Sequence, residues 1–270
     1  MGNVGAVFLF EWKRAFTWQR MLWWWVLALF PVFIVGLVVF TVERDADVPG
    51  VSDDMWVELC VWLLFALVPM LVAMLGTLLW ATPAVSAELE RRSWVYLAVR
   101  PHGGTAVLLG KYLASVTWVI PPAILGLTVS VLLCQFARPE QTLQVWWTMV
   151  RLILLSAPAY AAIYLLLGVV MPRRAMVLAV AYTLIFELII SFVPAVINKF
   201  TVQYRLRSLA AEWCQVSLAR RDSPAMQTLI GSEPPWQHVG ILILFTTLLV
   251  AGSVVLLRAC EFSSAAESDM

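Results

Sequence analysis

Charged side chains are scarce in this sequence. They account for 13% of its 270 residues, whereas 62% of the residues are apolar. Soluble proteins are typically about 25% charged and about 45–50% apolar. A water-soluble globule cannot bury that much apolar surface, so the composition excludes an ordinary soluble domain and predicts a protein of the lipid bilayer. The formal net charge of +1 gives no reason to expect nucleic acid as a partner.

Residues that commonly carry out catalysis or bind metals are also few. The two histidines, His102 and His238, lie in or beside predicted loops, and the four cysteines have no CxxC spacing. Neither an HExxH motif nor a pair of aspartates at membrane depth occurs in the sequence. We therefore expect a chain that is not an enzyme and that uses no cofactor and no metal ion.

A motif for binding ATP is absent as well. A Walker loop has four residues between its two glycines and a Ser or Thr directly after its Lys. The nearest candidate has five residues between Gly104 and Gly110, and Lys111 is followed by Tyr112. Any ATP-driven process would therefore need a separate polypeptide to hydrolyse the nucleotide.

Long apolar runs dominate what is present. A helix needs about 20 mostly apolar residues to cross the bilayer, because each residue advances about 1.5 Å through a hydrocarbon core of about 30 Å. Six runs meet this requirement, and they lack the every-second-residue alternation of barrel strands. The predicted fold class is all-α, a polytopic membrane protein with six transmembrane helices in one domain, 1–270. The helices are predicted at 21–42, 56–82, 112–136, 146–171, 176–197 and 239–257.

The distribution of Lys and Arg predicts the orientation. Short loops on one side are rich in them, so by the positive-inside rule this side and both termini are cytoplasmic, in a multi-pass protein of the cell (inner) membrane. The short loops opposite carry only Arg44, Arg138 and, at a helix edge, Arg151. The external loop 198–238 disagrees, and its aromatic residues and prolines suggest short helices folded back on the outer surface. Its basic residues are Lys199, Arg205, Arg207, Arg220 and Arg221.

The segment 5–20, ahead of the first apolar run, is amphipathic. At helical spacing, its apolar residues, among them Phe8 and Trp12, share one face, while Lys13, Arg14 and Arg20 lie towards the other. This pattern predicts an interfacial helix that lies flat on the cytoplasmic leaflet. A plain extension of the first spanning helix is the alternative. No short apolar core with a cleavage site precedes it, so a removable signal peptide is not expected.

The predicted cytoplasmic loop 83–111 carries the most informative pattern. It resembles the loop after the second helix in permease subunits of the ABC-2 transporter family. That loop typically has an acidic pair, an Arg or Gly followed by Thr, a Leu-rich turn ending in Arg-Pro or Ser-Pro, and a Gly-Lys entering helix three. The sequence departs from that pattern where Ser93 replaces the usual Thr and Trp94 the usual aliphatic residue. The residues that match are Glu88, Glu90, Arg91, Arg92, Leu97, Arg100, Pro101, Gly110 and Lys111.

The resemblance implies that loop 83–111 is a coupling segment, which docks onto a separate ATP-binding cassette ATPase. It also implies a dimer of permeases, of identical or different chains, with two ATPase subunits, and it favours export. The alternative is a solvated loop that merely obeys the positive-inside rule. The residues assigned to coupling are Glu88, Glu90, Arg91, Arg92, Ser93, Arg100 and Pro101.

One ionisable residue, Glu187, falls near the middle of a predicted spanning helix, the fifth. A charged carboxylate facing lipid is unfavourable, so its side chain should face the bundle or a cavity. Two hypotheses follow. Either Glu187 lines a translocation route at the dimer interface, or it is a packing residue hydrogen-bonded to a neighbouring helix.

Two other functions stay open at this point. A secondary transporter would usually have several polar residues at mid-membrane and two repeated halves; Glu187 alone is weak support, and no internal repeat is visible. A membrane anchor or assembly subunit that recruits an ATPase without moving cargo is the other alternative. The cargo itself cannot be read from the sequence.

Overall fold

The computed structural model describes residues 2–44, 53–84, 86, 88, 103–134, 139–193, 196–214, 230 and 233–259. Throughout these ranges the chain is helical, and they contain no strand, which confirms the all-α prediction. The α-helices in these ranges are α1 (Gly2–Ala15), α2 (Trp18–Arg44), α3 (Asp53–Phe65), α4 (Ala73–Ala81), α5 (Gly103–Leu133), α6 (Pro139–Val170), α7 (Ala175–Tyr182), α8 (Val202–Trp213) and α9 (Pro235–Ala259).

Six helical segments of the described residues are long and apolar enough to cross a membrane, as predicted. They are Trp18–Val42, Met55–Ala84, Gly103–Leu133, Glu140–Val170, Pro172–Phe192 and Pro235–Ala259. The third begins at Gly103 instead of residue 112, so the last nine residues of the predicted loop 83–111 are helical. The fifth ends at Phe192 instead of residue 197, two residues ahead of Pro194, because a proline disfavours helix in the residue before it.

Two of these spans contain a turn of π-helix. The second joins α3 to α4 through Ala66–Val72, and the fifth continues α7 through Thr183–Ile189. In the second span the N–H of Ala73 donates to the carbonyl of Val68, five residues back, which is the wider π pattern. Each span therefore continues without a break while its side chains rotate relative to a regular α-helix.

The fourth span, α6, lies at the centre of the bundle. It packs against α4, α5, α8 and α9, and Tyr160 and Tyr164 are among the largest fully buried side chains of the described residues. Small side chains at Ala157, Ala159 and Ala161 are also fully buried, and small residues let neighbouring helices approach closely in the absence of a strong hydrophobic driving force in lipid.

The first and sixth spans lie at the periphery. Large apolar side chains such as Trp23 and Phe33 of α2 and Leu244 and Leu248 of α9 are exposed in the single chain. Such faces would be unfavourable in water, but they suit contact with lipid or with another membrane subunit.

Helix α8 lies inside the bundle, between α6 and α9, where the sequence suggested helices on the outer surface. Residues 202–211 are all buried. Near its start Gln203 donates to Tyr160 of α6, and near its end the carbonyl of Trp213 accepts from Gln144. Helix α8 therefore runs antiparallel to α6 and lies level with that spanning helix rather than beyond its end.

Candidate functional site

Three segments meet at the first turns of α5, where the side chain of Lys111 holds them together. Its Nζ donates to the Glu88 carboxylate at 2.5 Å and to the carbonyl of Ala84 at 3.0 Å. The carboxylate of Glu11, from α1, lies 4.0 Å from the same nitrogen. The three charged side chains are only 10–13% exposed. This Lys111 junction (Glu11, Ala84, Glu88 and Lys111) links α1, the end of the second span and the start of the third.

Gly110 explains how α1 comes so close to α5. A Cβ atom at position 110 would lie 2.6 Å from Cγ1 and 2.8 Å from Cβ of Val7, and 3.2 Å from the backbone nitrogen of Phe8. Real Cβ atoms do not approach other carbon atoms to 2.6 Å, so only glycine permits this packing. The Gly-Lys pair noticed in the sequence thus has two physical roles, close approach by Gly110 and bridging by Lys111.

Aromatic side chains hold the other end of α1 against α5. The indole N–H of Trp12 donates to the hydroxyl of Thr117 at 2.8 Å. The rings of Trp12 and Phe16 each meet the ring of Trp118 edge to face, with centroids 5.2 Å apart, a favourable arrangement. The predicted N-terminal helix is therefore present, and one side of it is packed on the bundle.

Of the residues assigned to coupling, Glu88 is described, and the structure brings it to Lys111. The remaining ones lie outside the described residues: Glu90, Arg91, Arg92, Ser93, Arg100 and Pro101. The docking of this loop onto an ATPase therefore stays a prediction.

Glu187 is the centre of a second polar cluster. Its side chain is completely buried and accepts hydrogen bonds from four groups. Oε1 accepts from the Tyr182 hydroxyl at 3.1 Å and from the N–H of Val202 at 3.4 Å. Oε2 accepts from the N–H of Gln203 at 3.1 Å and from the Tyr160 hydroxyl at 3.4 Å. We call these five residues the Glu187 node.

The node fastens the start of α8 to the fifth span. The first N–H groups of a helix have no partner within the helix, and a carboxylate is favourable there. Val202 and Gln203 are the first two residues of α8, and their N–H groups are satisfied by Glu187. Thr201, the N-cap residue, accepts from the N–H of Tyr204 at 3.2 Å. Together, Thr201 and Glu187 therefore satisfy three of the first N–H groups of α8, although Glu187 belongs to another helix.

Polar contacts around the node extend this connection. Gln203 Nε2 donates to the Tyr160 hydroxyl at 2.6 Å, and the hydroxyls of Tyr164 and Thr183 lie 2.7 Å apart. Glu187 and Thr183 both belong to the π segment of the fifth span. Turns of π-helix are frequently found at functional sites, and this one supplies both residues for polar contacts with α6.

These contacts bear on the two hypotheses for Glu187. The carboxylate has four donors for its two oxygens and no exposed surface, so in this conformation it faces neither lipid nor an open channel. The contacts favour the packing role. The hypothesis that Glu187 lines a translocation route stays a prediction.

A third cluster ties α8 to the start of the sixth span. Glu233 accepts from Lys199 at 3.0 Å and from Arg205 at 2.8 Å, and Arg205 Nη1 lies 3.1 Å from Nδ1 of His238. Partial burial alone would raise the pKa of Glu233, but the hydrogen bond from Lys199 and the charge of Arg205 outweigh it, so the pKa lies below its ordinary value.

This cluster accounts for part of the basic segment that disagreed with the predicted orientation. Lys199 and Arg205 are paired with Glu233. Arg207 is buried, donates to the carbonyl of Ser191 at 2.6 Å and lies over the ring of Phe192. Arg220 and Arg221 lie outside the described residues. At least three of the five are therefore held by local contacts instead of forming a free basic surface.

Sequence reasoning identified Glu187 but missed its donors. A signal for part of the node was available, because Tyr160 and Tyr164 are four residues apart in an apolar run and so share one helix face. The pairing of Glu187 with Val202 and Gln203 had no such signal, since it depends on the path of the chain after the fifth span.

No group of three or more His, Cys, Asp or Glu side chains that could hold a metal ion occurs in the part of the chain that the structure describes. The chain matches no protein-family model, and no curated protein and no solved structure is significantly similar to it.

Proposed function

We propose that this chain is the membrane-spanning subunit of an ATP-binding cassette transporter, an exporter of the ABC-2 type. It forms a dimer with a second permease, identical or different, and each permease is energised by a separate ATPase subunit that docks on the loop 83–111. The basic end of the bundle faces the cytoplasm, where ATP is available. The chain itself forms part of the pathway for the cargo and does not bind the nucleotide.

The observation that carries the proposal is the Lys111 junction. A segment that passes force from a soluble ATPase to membrane helices must be attached to more than one of them. Glu88, at the start of the loop, is bonded to Lys111 on the third span, which also holds the end of the second span at Ala84. Glu11 brings α1 to the same place. A displacement of the loop would therefore be shared by two spanning helices and α1.

The charge of the loop supports the same proposal. Glu90, Arg91 and Arg92 follow Glu88 closely in the sequence, and charges of both signs on a short segment provide directional, charge-assisted hydrogen bonds to a protein groove. The Glu187 node supports the proposal in another way. Because the node fixes the helices at the opposite end of the bundle, movement at the cytoplasmic end would tilt whole helices.

Purification from mild detergent tests the proposal. An ATPase polypeptide should co-purify with the tagged chain, and the complex should hydrolyse ATP in a vanadate-sensitive manner. The double variant Glu88→Ala/Glu90→Ala should lose most of the bound ATPase. Glu140→Ala, an exposed change at the start of α6, is the matched control and should retain it.

The alternatives predict different outcomes. A secondary transporter would move cargo in liposomes without any ATPase, driven by an ion gradient. A membrane anchor would retain the ATPase but show no cargo movement in the reconstituted complex. Persistent failure to recover an ATPase from the native membrane would overturn the proposal.

A further inference from the structure

A small cavity lies beside the Lys111 junction, between α1 and the ends of the second and third spans. Its volume is about 70 Å³. A space of that size holds a few water molecules or one phosphate-sized group, and it is well below the roughly 300–1,000 Å³ of sites for drug-sized ligands. Charged and aromatic residues form much of its wall, including Glu11, Arg14, Arg20, Glu88, Lys111 and Trp118.

Trp118 lines this cavity and carries an unused hydrogen-bond donor. Its side chain is 4% exposed, and among the described residues its indole N–H has no acceptor. Edge-to-face contacts with Trp12 and Phe16 hold the ring in place. A buried N–H group without an acceptor is unfavourable, so the position calls for an acceptor atom that is not supplied by the described chain.

Two guanidinium groups line the same cavity. Arg14 and Arg20 are half-buried, and within the described ranges neither forms an ion pair or a hydrogen bond. The two carboxylates of the wall already lie close to Lys111. Their oxygens are 2.5 Å (Glu88) and 4.0 Å (Glu11) from its Nζ. With three cations against two carboxylates, the wall has an excess of positive charge.

We propose that this cavity binds a phosphate-type oxyanion, with the Trp118 indole N–H and the guanidiniums of Arg14 and Arg20 as its donors. The proposal does not depend on ATP-driven transport. A tetrahedral oxyanion offers several acceptor oxygens at once, and guanidinium forks bind such oxygens in pairs. The volume fits one such group.

Two sources could supply this chemistry, namely the headgroup of an anionic phospholipid and free inorganic phosphate. The position of the cavity favours the lipid. It lies at the basic end of the bundle, at the end of two spanning helices and next to the amphipathic α1, and clusters of Lys and Arg at a membrane surface attract anionic headgroups. A headgroup bound here would contact α1 and the third span together.

The test is a thermal-shift titration of the full chain in neutral detergent, with two separate probes. One arm adds inorganic phosphate, and the other adds phosphatidylglycerol, with phosphatidylcholine as the zwitterionic reference. A ligand that binds only the folded state raises the melting temperature in proportion to its occupancy. A shift with phosphatidylglycerol alone identifies the lipid headgroup, and a shift with both probes identifies a general oxyanion site. No shift with either probe overturns the proposal.

Variants test whether the shift in melting temperature arises from binding at this cavity. Arg14→Gln/Arg20→Gln should weaken the apparent affinity by about tenfold or more, and Trp118→Phe, which keeps an aromatic ring but removes the N–H donor and part of the indole, by about threefold to tenfold. Lys13→Gln removes a neighbouring exposed charge that does not line the cavity and should change the affinity less than about twofold. If the double arginine variant does not fold, Trp118→Phe against Lys13→Gln decides. An equal shift in all variants would overturn the proposal.

Discussion

The Glu187 node and the Lys111 junction are both built around one ionisable side chain that joins three segments, but they differ in enclosure. Glu187 has no exposed surface, and four donors satisfy its two oxygens. The charged groups of the Lys111 junction are 10–13% exposed and border a cavity that contains unpartnered donors. The first arrangement resists change, whereas the second can exchange partners. We therefore expect the end of the bundle that contains the Glu187 node to be rigid and the end that bears loop 83–111 to move.

The largest expected effect comes from breaking the node. Glu187→Ala leaves four donors without an acceptor, three of them buried, and each buried unsatisfied group costs about 1–3 kcal/mol. We expect a loss of at least about 3 kcal/mol in the free energy of unfolding, measured by thermal denaturation in detergent. The exposed change Glu140→Ala should stay within about 0.5 kcal/mol. Similar melting temperatures for the two variants would mean that the node does not hold its end of the bundle together.

A milder substitution at Glu187 distinguishes its packing role from a role in the translocation route. Glu187→Gln keeps the volume but replaces one carboxyl oxygen by an amide group, which presents a donor to the N–H groups of α8. If Glu187 is a packing residue, transport per folded molecule should be retained in Glu187→Gln while thermal stability falls. A loss of transport in a variant that assembles normally would instead favour the translocation route.

The next effect concerns the contact between α1 and α5. Gly110→Ala places a Cβ atom against Val7, and overpacking of this kind typically costs about 1–3 kcal/mol. Val7→Ala should restore part of the loss in the double variant, which a double-mutant cycle measures directly. Gly5→Ala is the control, since nothing lies within 4 Å of a Cβ atom there. An additive double variant would contradict the close packing.

Removing the bridge of the Lys111 junction should cost less stability than breaking the node. Lys111→Met leaves Glu88 and Glu11 without their shared cation, but these groups retain some access to water, so we expect about 1–2 kcal/mol. The larger consequence is functional: ATP hydrolysis by the complex should continue while transport falls towards background. Lys13→Met, an exposed change, should leave both unchanged. Parallel loss of hydrolysis and transport would mean that Lys111 is needed for docking rather than for transmission.

The smallest effect is expected from pH at the cluster around Glu233. The pKa of this carboxyl is lower in the folded state than its ordinary value of 4.5, so its contribution is fully present above pH 4.5 and is lost as the pH falls through the folded-state pKa. Since the pair is partly exposed, the contribution should stay below about 1 kcal/mol. Unfolding of Glu233→Gln should depend less on pH below 4.5 than unfolding of the original chain.

The sequence allowed prediction of the spanning helices, because apolar length is a local property that lipid enforces. It was less accurate at their ends. The first nine residues of α5 include Gly103, Gly104, Gly110 and Lys111, so the predicted start was at residue 112. The π segments were not predicted either, since nothing in residues 66–72 or 183–189 distinguishes them from ordinary apolar helix.

The position of α8 could not be predicted from the sequence. With Gln203, Arg205 and Arg207 within five residues it reads as a surface helix, yet residues 202–211 are buried. The reason is long-range: Tyr160, Glu187, Ser191 and Glu233 supply its polar partners. For the candidate site, the sequence indicated Glu88, Lys111 and Glu187 but not the contacts that give them different roles.

The most direct test of the proposed function is photo-cross-linking from the coupling loop in the native membrane. A photoreactive amino acid at position 90 should form an adduct with a nucleotide-binding polypeptide on the cytoplasmic side, whereas the same group at position 138, in a loop predicted on the opposite side, should form none. The account would be contradicted if position 138 gave the ATPase adduct, or if position 90 were labelled from outside the cell.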